Sequence, residues 1–205
     1  MIAIINYGVG NLFSLRGSLK HLGIEAEVTA DPERIDVADR IILPGVGAFG
    51  DAMEKLREHG LLPVLDRQAH SGKPFLGICL GMQVLFEWGY EFGAHKGLGY
   101  LKGSVHALAD DLPADMKIPH IGWNSLKLVK PEDPLLRYTK DGDYVYYVHS
   151  FYVKGCEESL IAGSDYGTFI PGAVHKGNIW GTQFHPEKSG ITGLSMLRAF
   201  AEASV

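Results

Sequence analysis

Apolar residues recur along this chain in two rhythms, and the alternation between them outlines an α/β protein. Four short runs read as strands: IAIIN (2–6), IEAEVT (24–29), RIILP (40–44) and PFLGIC (74–79). The first, third and fourth are nearly continuous, as strands buried on both faces are; IEAEVT alternates. Helical spacing fills the gaps. Asn11 is a cap for a helix to about His21, with Leu12, Leu15, Leu19 and Leu22 on one side. Residues 48–59 and 61–71 read as two further helices, and Pro63 falls early in the second, where proline is tolerated. Strand–helix–strand alternation predicts a parallel sheet covered by helices. The later half changes character: YVYYVHSFYV (144–153), LIAGSDYG (160–167) and IWGTQFH (179–185) read as strands with few helices between them. An amphipathic helix over about 189–203, with Leu194, Leu197 and Phe200 on one face, closes the pattern. With no repeat, low-complexity tract or linker, the expectation is one α/β domain over 1–205, built on a mixed, mostly parallel central sheet flanked by helices.

One strand ends unusually. GICLGMQ (77–83) puts Cys79 at the end of PFLGIC and starts a helix with Leu80-Gly81-Met82-Gln83-Val84-Leu85-Phe86. G-x-C-x-G at a strand-to-helix junction is the cysteine form of a nucleophile elbow. Gly77 and Gly81 lack side chains, so the chain turns tightly around a strained residue. The helix N-terminus favours a thiolate and leaves the Leu80 N–H free to hold an oxyanion. The plain alternative is a buried, inert cysteine.

A cysteine nucleophile needs a base, and the base needs an orienting group. FHPEKSG (184–190) offers both: His185 ends a strand, Pro186 forbids regular continuation, and Glu187, two residues on in an extended segment, points the same way as His185. Glu187 then accepts from one ring nitrogen and leaves the other for the thiol of Cys79. Alone, H-P-E reads equally well as a surface turn. LPGVGAFG (43–50) is a strand running into a glycine turn, and it supplies a second oxyanion donor or is a plain turn; no lysine follows in the P-loop pattern, and the spacing does not fit a dinucleotide fingerprint.

Composition narrows the class of function. At 205 residues, 46% hydrophobic and 21% charged, the chain has the make-up of a globular enzyme or subunit. A net charge of −5 argues against nucleic acid or an acidic membrane as partner. No apolar run nears ~18 residues, and no leader-like segment is visible, so a cytoplasmic protein is expected. Cys79 and Cys156 lie far apart and suggest no disulfide framework, and the nine histidines do not fall at metal-ligand spacing. No metal and no cofactor are expected.

Taken together, PGVG, GICLGMQ and HPEKS resemble the class I, triad-type glutamine amidotransferases. INYGVGNLFS (5–14), PHIGWN (119–124) and YYVHSFY (146–152) resemble, within that family, the glutaminase subunits of imidazole glycerol phosphate synthase, and the likeness spans nearly the whole chain. It implies a class I glutamine amidotransferase-like (flavodoxin-like) fold and hydrolysis of L-glutamine through a Cys79 thioester, with His185 and Glu187 completing the triad. It further implies oxyanion donors at Leu80, Val46 and Gly47, and a substrate pocket formed by Gly45, Gln83, Glu91, Ser150 and Phe151. His149 and His120 read as packing residues. The implied partner is a (β/α)8-barrel cyclase subunit that receives the ammonia in a heterodimer serving histidine biosynthesis, with Trp123 and Lys188 facing it. An oxyanion loop that rests in a poor state until the partner is loaded is part of that expectation. Rival readings are a glutaminase subunit of another synthase (for anthranilate, purines or pyridoxal phosphate), a stand-alone cysteine hydrolase, and a non-catalytic binding module.

Overall fold

The structure, a computed structural model, describes residues 1–203. The elements follow in chain order: β1 (Ile2–Ile5), α1 (Leu12–His21), β2 (Ala26–Thr29), α2 (Pro32–Val37), β3 (Arg40–Gly45), α3 (Phe49–Glu58), α4 (Leu62–His70), β4 (Phe75–Cys79), α5 (Leu80–Gln83), β5 (Phe86–Gly89), β6 (His95–Lys96), β7 (Leu101–Ala107), β8 (His120–Ser125), β9 (Lys127–Leu128), β10 (Tyr144–His149), β11 (Phe151–Lys154), β12 (Leu160–Tyr166), β13 (Thr168–Lys176), β14 (Ile179–Thr182) and α6 (Gly190–Glu202). Among them no helix is long and apolar enough to cross a membrane.

Eight strands form the central sheet in the order β2-β1-β3-β4-β14-β13-β12-β9. The pairs from β2 to β14 are parallel and the pairs beyond β14 antiparallel. The alternation of side chains across β1 explains why both faces are buried. Ala3 and Ile5 join one apolar cluster with Ile35 of α2, Leu56 of α3 and Leu65 of α4. Ile2 and Ile4 join the other, with Leu15 and Leu19 of α1 and Leu197 and Phe200 of α6. The mixed, mostly parallel sheet flanked by helices is the fold expected from the sequence.

Four features differ from that expectation. DPERIDV forms a short helix: Asp31 accepts from the Glu33 N–H at 2.9 Å and Pro32 takes the first turn. The helix after Cys79 is a single turn, and Phe86 begins β5, which is parallel to β7 and antiparallel to β6; a side chain at Gly97 would overlap the Phe86 carbonyl oxygen. YVYYVHSFYV is two strands in two sheets, not one. β10 pairs with β8, whereas β11 belongs to a four-stranded sheet ordered β11-β7-β5-β6, and the break falls at Ser150, whose carbonyl accepts from Leu108 N–H at 2.9 Å. Finally, the strand read to His185 ends at Thr182. The first is local, but the other three are tertiary: pairing partners distant in sequence determine where these strands start and stop.

Candidate active site

The site lies at the carboxyl ends of three adjacent parallel strands, where open α/β sheets bind ligands. Register places Gly45 of β3 opposite Cys79 of β4, and Thr182 of β14 opposite Ile78, so that Gln183 follows beside Cys79. Cys79 itself has φ 55° and ψ −112°, a strained backbone for a residue with a side chain. The surroundings impose it. A Cβ on Gly81 would overlap the Leu43 carbonyl oxygen, and one on Gly77 would sit 2.5 Å from the Gly81 carbonyl oxygen. Gly45 is equally confined, its hypothetical Cβ 2.7 Å from Tyr7 Oη and 2.8 Å from Gly81 N. Glycine is thus required at these positions for space, and the turn it permits holds the sulfur at the sheet edge.

A cavity of about 300 Å³ opens there, lined by Val46, Gly47, Cys79, Leu80, Gln83, Glu91, Pro119, Val148, His149, Ser150, Phe151 and His185. His185 follows β14, its N–H bonded to the Tyr146 carbonyl at 2.9 Å. Its Nδ1 donates to Glu187 Oε1 at 2.8 Å, and both side chains are buried. The pair does not meet through the extended geometry expected of it; Pro186–Lys188 is a 3₁₀ turn that folds the carboxylate back onto the ring. Nε2 is buried with no hydrogen-bond partner, and the ring borders the same cavity as the sulfur. Burial works against charging this ring, but the Cys79 sulfur and the Glu187 carboxylate outweigh it and raise its pKa from 6.5 to about 10. The imidazole therefore holds its proton readily beside the Cys79 sulfur.

The other expected residues divide into two groups. Gln83 is buried rather than exposed, and its Nε2 donates to the Phe151 carbonyl at 3.0 Å and to Gln183 Oε1 at 2.9 Å. Glu91 reaches the cavity and accepts from the Phe49 N–H at 2.9 Å, at the first residue of α3. Val46 and Gly47 form the opposite rim; Gly47 has φ 101° and open space around it. Leu80, Ser150 and Phe151 are also wall residues, whereas Gly45, expected in the pocket, does not line the cavity. Trp123 and Lys188 stand apart from the cavity on an outer face. The Trp123 ring is edge-on to Tyr146 at 6.1 Å, and the Lys188 ammonium lies 5.8 Å above the same tyrosine.

Some neighbours were not anticipated. Gln183, one residue beyond β14 and fully buried, points Nε2 at Cys79 Sγ at 3.7 Å; the sequence held no specific signal for it. Tyr7 donates to the Pro44 carbonyl at 2.8 Å, directly before the glycine turn, and burial pushes its hydroxyl pKa up. His149, read as a packing residue, also lines the cavity.

A cysteine on a strained elbow, a carboxylate-held imidazole and a glycine turn on one cavity define an amide-cleaving site of the cysteine type. The family model "Glutamine amidotransferase class-I" matches residues 3–203, and the chain belongs to that family. Solved structures agree on the fold: a glutamine amidotransferase superposes with a TM-score of 0.76 over 98% of both chains at 19% identity. PurLQS from Thermotoga maritima gives 0.75 over 98% of this chain and 96% of that one, also at 19% identity. Curated relatives are closer. The imidazole glycerol phosphate synthase subunit HisH of Desulfitobacterium hafniense (strain DSM 10664 / DCB-2) is 53% identical over 98% of this chain and 94% of its own. That of Caldanaerobacter subterraneus subsp. tengcongensis is 49% identical over 98% of each. Within its family, this chain groups with those HisH subunits.

Proposed function

We propose that this chain is the glutaminase subunit of an imidazole glycerol phosphate synthase, acting in the cytoplasm as one amidotransferase domain over residues 1–205. The observation that carries the reading is the cavity shared by Cys79 and His185, with Glu187 holding the far ring nitrogen at 2.8 Å. The Cys79 thiolate attacks the side-chain amide carbon of L-glutamine. The oxyanion is held by the Leu80 N–H, at the start of a helical turn where amides lack internal partners, and by the Val46–Gly47 peptide. The protonated His185 gives its Nε2 proton to the departing nitrogen, the C–N bond breaks, and ammonia leaves a glutamyl thioester. Water then adds to the thioester with His185 as base, releasing glutamate and restoring the thiolate. Glu91, Gln83 and the Ser150–Phe151 backbone hold the amino-acid end of the substrate.

Ammonia passes to a (β/α)8-barrel cyclase docked on the outer face that carries Trp123 and Lys188. Ile121, Trp123 and Tyr144 expose more than half of their surface on neighbouring strands there, an apolar patch suited to a protein partner, with Lys188 at its side. The partner's loaded state biases the Val46–Gly47 loop toward the productive oxyanion geometry. The test is reconstitution. Mixed with the cyclase, the chain is expected to turn over glutamine and to make imidazole glycerol phosphate from the phosphoribulosyl substrate. Cys79→Ala should abolish both while still binding the cyclase. Activity that arises only with a different synthase, or equally without any partner, would overturn the assignment.

A further inference from the structure

Two buried histidines, His149 in the cavity wall and His120 behind it, form an ordered chain of hydrogen bonds. His149 Nδ1 lies 2.9 Å from the Phe151 carbonyl oxygen, which can only accept, so Nδ1 carries the hydrogen. Burial presses the pKa of His149 down to about 3 and that of His120 to about 4, so both rings are neutral near pH 7. Each neutral ring has one N–H. His149 Nε2 is therefore bare and must accept from His120 Nδ1, at 3.0 Å. His120 Nε2 is bare in turn and faces Asn124 Nδ2 at 3.4 Å. The orientation of that amide is fixed independently: Nδ2 donates to the Asp165 carbonyl at 2.9 Å, and Oδ1 accepts from the Ser125 N–H at 2.8 Å. Packing leaves the rings no rotation, for His120 is stacked between Tyr147 and Tyr166 at 4.6 and 4.0 Å.

The chain ends on a carbonyl that belongs to the pocket. Phe151 O also accepts from Gln83 Nε2, and Gln83 connects through Gln183 to the Cys79 sulfur. We propose that His120 and His149 are positioning residues for glutamine binding: both held in the Nδ1–H tautomer, they orient the Ser150–Phe151 backbone of the substrate pocket through a bond series running one way, Asn124 to His120 to His149 to Phe151. The inference rests on the glutaminase reading for its ligand but not for its tautomers. In free histidine the hydrogen prefers Nε2, so two Nδ1–H rings in sequence mark the series.

Two measurements test it on the full chain. First, ¹⁵N-histidine spectra near pH 7 are expected to show both rings protonated at Nδ1; an Nε2–H signal for either overturns the series. Second, glutaminase kinetics are taken with the cyclase complex. His149→Gln sets its amide where Nε2 was and loses the donor to Phe151, so KM for glutamine should rise about tenfold, the worth of one buried hydrogen bond, with kcat within about twofold. His149→Asn sets an amide nitrogen where Nδ1 was and should recover most of that loss. Equal KM values for the Asn and Gln variants, or a loss confined to kcat, overturn the positioning role. A Gln variant that does not fold leaves the Asn variant decisive against wild type, because a KM raised tenfold there has the same adverse meaning. A wild-type complex inert toward glutamine, with Nδ1–H signals intact, overturns the substrate assignment and this proposal's ligand with it; an active complex with Nε2–H signals overturns the series alone.

Discussion

The elbow around Cys79 and the glycine turn at Val46–Gly47 face each other across one cavity, and their glycines serve opposite ends. At the elbow there is no room: side chains on Gly77, Gly81 or Gly45 would run into backbone atoms or the Tyr7 hydroxyl. At Gly47 there is ample room, and what the residue needs is a φ of 101°. Close packing on every side over-determines the first geometry and keeps a strained cysteine in place. The second geometry is held by few neighbours, with Val46 partly exposed. The proposed nucleophile is thus held in place, and the proposed oxyanion loop is left room to move, by different surroundings of one motif type.

The comparison breaks most severely at Gly81. Gly81→Ala would force a methyl into the Leu43 carbonyl, and since backbone on both sides must shift, a loss of about 4 kcal/mol or more is expected, read as failure to fold or a collapsed melting temperature. The next effect tests the fixed side chemically. Glu187→Gln keeps the turn but removes a charge that supports the His185 proton, and glutaminase activity should fall on the order of 10³-fold. The sign of the pH effect follows from a pKa raised from 6.5 to about 10: the proton's contribution is fully present below about 6.5 and is lost as pH rises toward 10. The wild-type protein should therefore lose stability between those values, and in Glu187→Gln the alkaline limb of the rate profile should move to lower pH; an unmoved limb would show that Glu187 does not hold the proton.

Smaller changes sharpen the mobile side. Gly47→Ala meets no atom but must hold an unfavourable φ, at about 1–3 kcal/mol. The protein should stay folded with a melting temperature only a few degrees lower, while glutamine turnover falls about ten- to a hundredfold as the loop relaxes elsewhere. Unchanged turnover would separate this loop from oxyanion binding. Smallest is Tyr7→Phe, which deletes the bond to the Pro44 carbonyl at the junction of the two regions and should cost about 1 kcal/mol in a denaturant titration. A much larger loss would move the boundary of the rigid region into the turn.

Local chemistry was readable wherever a residue type has one physical use. Apolar runs with unbroken interiors marked β1, β3 and β4, because the buried middle of a strand covered on both faces cannot carry charge. Gly-x-Cys-x-Gly marked the elbow because a side chain at either glycine is sterically excluded. Less legible were features decided by distant partners. The strand-like run 144–153 has no internal reason to break at Ser150; β8 and β7 claim its halves for different sheets. Gln83 is assigned to the substrate pocket by resemblance alone; nothing local foretells that the Phe151 carbonyl and Gln183, 68 and 100 positions away, enclose its amide.

What the amino-acid order determined by itself was therefore the alternating α/β framework and the identity of the reactive groups, since both follow from hydrophobic period and from steric limits within a few residues. Only the tertiary structure decided that the imidazole and the sulfur line one cavity with the carboxylate bonded to the far ring nitrogen, and that two further histidines are buried next to it. Those outcomes depend on burial and on hydrogen-bond partners brought from far along the chain, and the free energy of a buried polar group is set by its neighbours rather than by its place in the sequence.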